Sequence, residues 1–364
     1  MALEIISKQT SDFYAPRFDV EIQDKELPLN ISKSIMSVTI DEKLDEGVGF
    51  KFTMRDQFDL GSQKFQWLDN ELFREGNTVT VKMGYSNQLE IMASGKIKTL
   101  ESSFFSGESI TLTIEGEDFS YDMLKRKSDE RAFIDQTYSE IAKTIASEAK
   151  LTLKVDETGK FERIVRKNSD KTYFAFLQDL AKKADREFFV RGKTMYFVEP
   201  RNDEKEVVTL ELGKDIINFK PRISTKESVT EVEVRGHNTA NPSQPIIGRA
   251  VAGSERAQEA GKKTASQIAQ EQYGAEGKKV ITNVVVNSVE EANTIAKSVL
   301  NQASSKLIEG DGECIGLLQI RPGVNIRLEK MGERFSGKYY VNSVTHTIDS
   351  SGYRTRFSVK RNAV

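Results

Sequence analysis

The chain is 364 residues long, 38% apolar and 30% charged, with a mean hydropathy of -0.48; that length allows two or three domains with ample core. Net charge is -2, from 53 basic and 55 acidic side chains, which excludes the basic excess a dedicated nucleic-acid binder needs to exchange counterions with phosphates. One cysteine, Cys314, excludes an internal disulfide framework and fits folding in a reducing compartment; no apolar run approaches a bilayer span, and Met1 to Thr10 lacks the pattern of a secretory signal.

Residues 17–55 read as strands. Phe18, Val20 and Ile22 alternate with polar residues, as do Val38 and Ile40, and then Val48, Phe50, Phe52 and Met54; a period of two means one buried face. The stretch 56–75 breaks that rhythm, and Phe65, Trp67, Leu68, Leu72 and Phe73 point to a short helix or packed loop. Strands resume from Thr78 to Glu115, so 1–115 reads as one β-barrel-like domain. From 116 to 200 the pattern is a compact α+β domain. Thr137 with Glu140 forms a capping box, opening a helix whose Tyr138, Ile141, Ala142, Ile145 and Ala149 share a face. A second helix, with Tyr173, Leu177, Leu180, Ala181 and Ala184 on one side, starts near Ser169 or Asp170. Leu151, Leu153 and Val155 alternate between the helices, and Gly192-Lys193 turns a hairpin after them.

Residues 201–364 read as a second β-barrel-like domain with an interruption. Thr230 to Arg235 is a strand. The segment 237–278, with Asn241-Pro242 and few large apolar groups, reads as an arm that is partly helical between Ser254 and Tyr273, and mobile or packed on a neighbour. Val280 to Val286 is a strand. Ser288 with Glu291 forms a capping box for a helix over 288–308, with Ala292, Ile295, Ala296, Val299, Ala303 and Leu307 in a stripe expected to face the second barrel and Gly310 as its stop. Strands run from there to the end. The fold class is mainly β with α+β: two related β-barrel-like domains with an α+β middle domain inserted.

The two β domains carry one string of signals twice. The first copy has Val79, Val81, Met83, then Gly84, then Ser94-Gly95-Lys96-Ile97, then Gly107, then Ile110, Leu112, Ile114. The second has Val324, Ile326, Leu328, then Gly332, then Ser336-Gly337-Lys338-Tyr339, then Gly352, then Thr355, Phe357, Val359. Two such units per chain present six similar positions when three chains assemble.

Candidate chemistry is thin. Ala260-Gly261-Lys262-Lys263-Thr264 lacks the glycine and the adjoining hydroxyl of a phosphate loop, with Arg256 and Lys263 in those places. Glu309-Gly310-Asp311-Gly312-Glu313 lacks the alternation of a calcium loop and reads as a polar turn. His237 and His346 have no metal-ligand spacing, and Cys314 reads as a buried thiol. Glu117-Asp118 and Asp129-Glu130 are acid pairs of the sort that cleave glycans, which chance supplies in so charged a chain. Lys125-Arg126-Lys127 reads as a solvated face. No catalytic, cofactor-binding or metal residue is assigned.

Several segments, in order, resemble the phage late control D family: Phe13-Tyr14-Ala15-Pro16-Arg17-Phe18-Asp19-Val20, then Gly116-Glu117-Asp118-Phe119-Ser120-Tyr121-Asp122-Met123-Leu124, then the Tyr138 helix followed by Phe174, Leu177, Leu180 and Ala181. The tail adds Pro322-Gly323, Gly337-Lys338-Tyr339-Tyr340-Val341, Val344-Thr345-His346, Gly352-Tyr353-Arg354-Thr355-Arg356-Phe357 and Arg361. Members of that family are tail hub proteins of contractile phages and related injection machines, including the N-terminal part of VgrG. The resemblance implies a non-enzymatic homotrimer whose paired barrels form a pseudo-sixfold ring. That ring would join a hexameric tail tube and its initiator proteins to a trimeric spike, among other baseplate proteins, with no cofactor, nucleic-acid binding or membrane insertion. VgrG chains continue into a further barrel and a needle, whereas this chain stops at Val364, so the spike is expected to be a separate protein. Assembly is expected in the bacterial cytoplasm, within a tail baseplate or injection particle that is released or anchored. The alternatives are a tail-associated peptidoglycan hydrolase, which needs converging carboxylates, and an adhesin, which needs exposed loop aromatics.

Overall fold

The computed structural model describes residues 15–364 except 45, 87, 106–108, 127, 128, 160–163, 237–244 and 283, and the side chain of 275. Phe13, Tyr14, Gly107, Lys127, His237, Asn241 and Pro242 therefore lie outside the described residues. The first β unit consists of β1 (Pro16–Ile22), β2 (Ile35–Lys43), β3 (Gly47–Arg55), β4 (Thr78–Tyr85), β5 (Gln88–Ser103) and β6 (Thr111–Asp118). Its pairing order is β2-β3-β6-β5-β4-β1, antiparallel throughout. Apolar positions meet across the ladders: Val20 faces Val81, and Ile22 faces Val79, each pair adding packing on the buried side. Trp67 and Phe73, from the stretch between β3 and β4, are buried in the same core, as a packed loop requires.

The middle region comprises β7 (Arg131–Ile134), α1 (Tyr138–Glu148), β8 (Thr152–Val155), β9 (Ile164–Lys167), α2 (Tyr173–Lys183), β10 (Glu187–Arg191) and β11 (Thr194–Val198). The capping box of α1 is present: Glu140 N–H donates to Thr137 Oγ1 at 3.2 Å, and Thr137 N–H donates to Glu140 Oε2 at 2.7 Å. Helix α2 starts later than Ser169 or Asp170, because Thr172 is its N-cap, accepting from Ala175 N–H at 3.2 Å. Both helices bury their apolar faces in one core with Phe188, Val190, Met195 and Phe197, and Gly192 turns the β10–β11 hairpin at φ +58°.

The second β unit begins with β12 (Glu206–Glu211) and β13 (Ile216–Ile223). An insert follows: β14 (Glu231–Gly236), β15 (Ile246–Val251), α3 (Ala265–Tyr273), β16 (Lys278–Ile281) and α4 (Val289–Ser304). The unit resumes with β17 (Ile308–Ile315), β18 (Asn325–Glu329), β19 (Gly337–Asp349) and β20 (Gly352–Arg361). The insert corrects four expectations. The 237–278 segment is not a loose arm throughout, since β15 lies in a three-stranded sheet ordered β15-β14-β16. The stripe of α4 faces that sheet and not the barrel: Ala292, Ile295, Ala296 and Leu300 pack with Val232, Val234, Ile246 and Ala250. The expected Val280–Val286 strand is only Lys278–Ile281. Finally, α4 ends at Ser304 and Gly310 does not stop it. Gly310 and Gly312 lie inside β17, so Glu309–Glu313 is a strand and not a turn. Added Cβ atoms there would meet the Phe219 and Phe357 rings within 3 Å; the glycines are the floor under those aromatics.

Candidate functional site: the joint between the two β units

The second unit pairs in the order β13-β17-β20-β19-β18-β12, which is the order of the first unit, strand for strand. Two irregularities coincide as well, although the register shift at Val81/Lys82 in β4–β5 and the one at Glu206/Val208 in β12–β18 have no counterpart. The β2–β3 ladder has a bulge between Ile35 and Ser37, and β13–β17 has one between Ile216 and Asn218. The β5–β6 ladder has one between Ile97 and Thr99, and β19–β20 one between Val341 and Ser343. Bulges recur at fixed places in related sheets. One orientation differs: β1 runs antiparallel to β4, whereas β12 runs parallel to β18.

Register from the bulges makes Gly95 equivalent to Tyr339, not to Gly337, because Gly95 faces Val79 as Tyr339 faces Ile326. The repeated Ser-Gly-Lys string is thus displaced by two residues. The last strands are displaced likewise, since Leu112 faces Met54 and its counterpart is Thr355, which faces Cys314. A slip of two keeps every side chain on its own face.

The units are joined by a ladder between β2 and β19, in which Lys43 faces Ser343, Glu42 faces Val344, Ile40 faces His346 and Val38 faces Ile348. A strand in the first unit thereby completes an edge of the second. Glu42, 2% exposed, sits in the joint, bonded bidentately by Arg321 and approached by Arg191 Nε at 3.4 Å. Arg321 also donates to Met92 O at 2.9 Å, tying the cluster to β5. His346 is fully buried beside it. Its Nε2 lies 3.1 Å from Ile320 O, which can only accept, so that nitrogen carries the hydrogen; Nδ1 accepts from Tyr353 and Thr355 hydroxyls at 3.0 and 3.1 Å. Burial pushes its pKa down to about 4, keeping the ring neutral. The arrangement is a satisfied structural lock. Sequence reasoning passed over Glu42, Arg191 and Arg321. The available signal was Glu42 itself, a charge in the buried phase of the Val38, Ile40, Glu42 alternation.

The other sequence candidates are scattered. Glu117 and Asp118 are neighbours on β6 and so face opposite ways; Glu117 pairs with Lys125 at 3.1 Å, while buried Asp118 accepts from Val48 and Ser120 N–H. Asp129 accepts from Tyr173 Oη at 3.0 Å. Burial pushes the Cys314 thiol up. Gly261 makes a turn at φ +78° before Thr264, the N-cap of α3. A cleft of about 270 Å³ between α2 and α4 is lined by Asp185, Arg256, Asn301 and Tyr340, where Asp185 accepts from Asn301 at 2.7 Å and lies 4.0 Å from Arg256.

Residues 15–350 match the family described as the Alg8 N-terminal domain. The chain belongs to that family. Among curated proteins, none matches it by sequence. Solved structures share the family member's fold over nearly its whole length. The 43 kDa tail protein of prophage MuSo2 from Shewanella oneidensis has 15% identity and TM-score 0.72, covering 95% of this chain and 98% of that one. A tail protein from Neisseria meningitidis has 14% identity and TM-score 0.70, covering 96% and 97%. The Escherichia coli c3393 protein, a type VI secretion component described as structurally similar to bacteriophage T4 gp27 and gp5, has 11% identity and TM-score 0.55, covering 95% and 77%. The fold is that of phage tail proteins, as the resemblance to late control D hub proteins implied.

Proposed function

We propose that this chain is the structural hub of a contractile tail or injection particle: a homotrimer of pseudo-sixfold symmetry that adapts a hexameric tail tube to a trimeric spike. The observation that carries the reading is the shared six-strand order of the two units, with two bulges in common. Three chains then offer six like units to a six-subunit ring, which three single units could not. The tail-protein fold supports the same role. The functional division is 1–115 and 201–364 for the ring, with 116–200 between. The reading needs no catalysis, cofactor or metal from the chain, and it places the protein in a virion-like particle assembled in the bacterial cytoplasm. Baseplate proteins are its partners, and neither nucleic acid nor membrane is; no helix among the described residues is long and apolar enough to cross one.

Native mass spectrometry of the full chain, alone and mixed with its spike, tests this. The expected species has about three times the 41.0 kDa chain mass. A monomer at every concentration, spike included, overturns the hub reading.

A further inference from the structure

The intrachain joint has an unused counterpart. In the second unit the edge of β19 beyond its pairing with β18 is filled by β2. In the first unit the equivalent edge belongs to β5 beyond Ile97, and among the described residues no strand pairs with it. The equivalent of β2 is β13, an end strand, and among the described residues nothing pairs with its outer edge beyond Ile216. The burial patterns show what is missing. Along β2 the residues Val38, Ile40 and Glu42 are buried, whereas their counterparts Phe219, Pro221 and Ile223 are half-buried or exposed. Along β19 Val344, His346 and Ile348 are buried, whereas Leu100 and Ser102 are half-buried and Phe104 is 59% exposed.

We infer that β13 of one copy of this chain pairs antiparallel with the β5 edge of a second copy, in the register of the β2–β19 joint. The inference rests on the hub reading for the number of copies, but the register comes from the joint itself. Carrying the intrachain pairs across by the bulge equivalence sets Ile223 opposite Leu100, Arg222 opposite Glu101, Pro221 opposite Ser102, Lys220 opposite Ser103 and Phe219 opposite Phe104.

The chemistry fits that register. On one face two of the three pairs are apolar, Leu100 with Ile223 and Phe104 with Phe219, and Ser102 meets Pro221 between them. On the other face Glu101 meets Arg222, both exposed, where the intrachain joint has Thr345 donating to Asp41 at 2.6 Å. Cross-strand pairs of opposite charge stabilise and like charges repel. Pro221 has no N–H to give, so at most one donor is lost from the ladder. Lys220, Pro221 and Arg222 also discourage indiscriminate pairing of this edge, leaving a partner with an acid at the right place. Head-to-tail contacts of this kind form rings when the rotation closes.

The test uses the full chain. Directly opposed strand residues lie within disulfide reach, and buried Cys314 does not compete. Leu100→Cys with Ile223→Cys is expected to give a reducible ladder of covalent oligomers under oxidation. Each single variant, and Leu100→Cys with Ile217→Cys, is expected to give none. Glu101→Arg and Arg222→Glu should each raise the concentration at which oligomers form by about tenfold, and their combination should return it to within about threefold. If native mass spectrometry shows a trimer while the cysteine pair fails to link and the two charge reversals simply add, the joint is overturned and the hub reading stands. Equal linking by the displaced Ile217→Cys control also overturns the joint. A monomer under all conditions overturns both.

Discussion

The two β units are built to one wiring diagram with different side chains. At equivalent places Phe50 over Gly116 becomes Gly310 beside Val359, and Phe52 beside Ile114 becomes Gly312 beside Phe357. The larger side chains have moved from the third strand to the sixth and each pair total falls, with Phe219 of the second strand lying over both glycines. The connection from second to third strand differs more. In the first unit only residues 44–46 separate the two strands; in the second the whole insert, 224–307, stands between them. Strand order and two of the bulges survive these changes because backbone pairing fixes them. Side chains and loops are free to diverge around that frame.

Equivalent positions should then respond differently according to whether their edge is filled. Glu42 and Ile223 occupy one position in the two units. Glu42→Ala leaves the Arg321 and Arg191 guanidinium groups without their buried carboxylate, at an expected cost of about 3–5 kcal/mol. Ile223 is 39% exposed in the single chain, and Ile223→Ala should change its stability by no more than about 0.5 kcal/mol. Urea unfolding of the dilute chain reads both. Similar losses at the two sites would show that Ile223 is already covered, and the difference between the units would disappear.

A smaller contrast concerns protons. His346 faces Ile40 across the joint, and its counterpart Ser102 does not titrate. The unfolded imidazole takes a proton near its ordinary value of 6.5, whereas burial lowers the folded one to about 4. Stability from the neutral ring is therefore complete above pH 6.5, falls as pH drops from 6.5 towards 4, and changes no further below that. The full loss is about 3 kcal/mol from a shift of this size. Comparing unfolding free energies at pH 7 and pH 4.5 for the native chain and His346→Gln isolates the group, since carboxylates contribute to both. Parallel profiles would mean that the ring is not held neutral.

What could be read in the sequence follows from period and from chemistry at caps. Alternation located the strands of both units, and Thr137 with Glu140 located α1. The doubling was visible, yet its alignment slipped by two residues, because a period of two cannot tell a residue from the next one on its face. The stripe of α4 was legible but not its partner: Ala292, Ile295 and Ala296 require some apolar surface, and nothing local says whether it is the barrel or the insert's own sheet. Glu309–Glu313 misled because two glycines among acids look like a turn. Only Phe219 and Phe357, far away in sequence, explain them. The joint was hidden for the same reason, since Glu42 meets Arg191 and Arg321 only after the units close on each other.

The exchange of volume between strands gives the finest test. Gly312→Ala puts a Cβ 2.6 Å from the Phe357 ring and should destabilise by about 1–3 kcal/mol. Gly49, on β3, has nothing nearer than the Gly116 carbonyl oxygen at 3.8 Å, so Gly49→Ala should be neutral or slightly stabilising, within about 0.5 kcal/mol. Pairing Gly312→Ala with Phe357→Ile moves the site towards the first unit's solution, in which Phe52 lies beside Ile114, and should recover at least half of the loss. Thermal melts of these three variants and of Phe357→Ile alone suffice. Two additive losses in the double variant would mean that the glycine serves the backbone of β17, not the ring above it, and that the units reached similar strand order through unrelated packing.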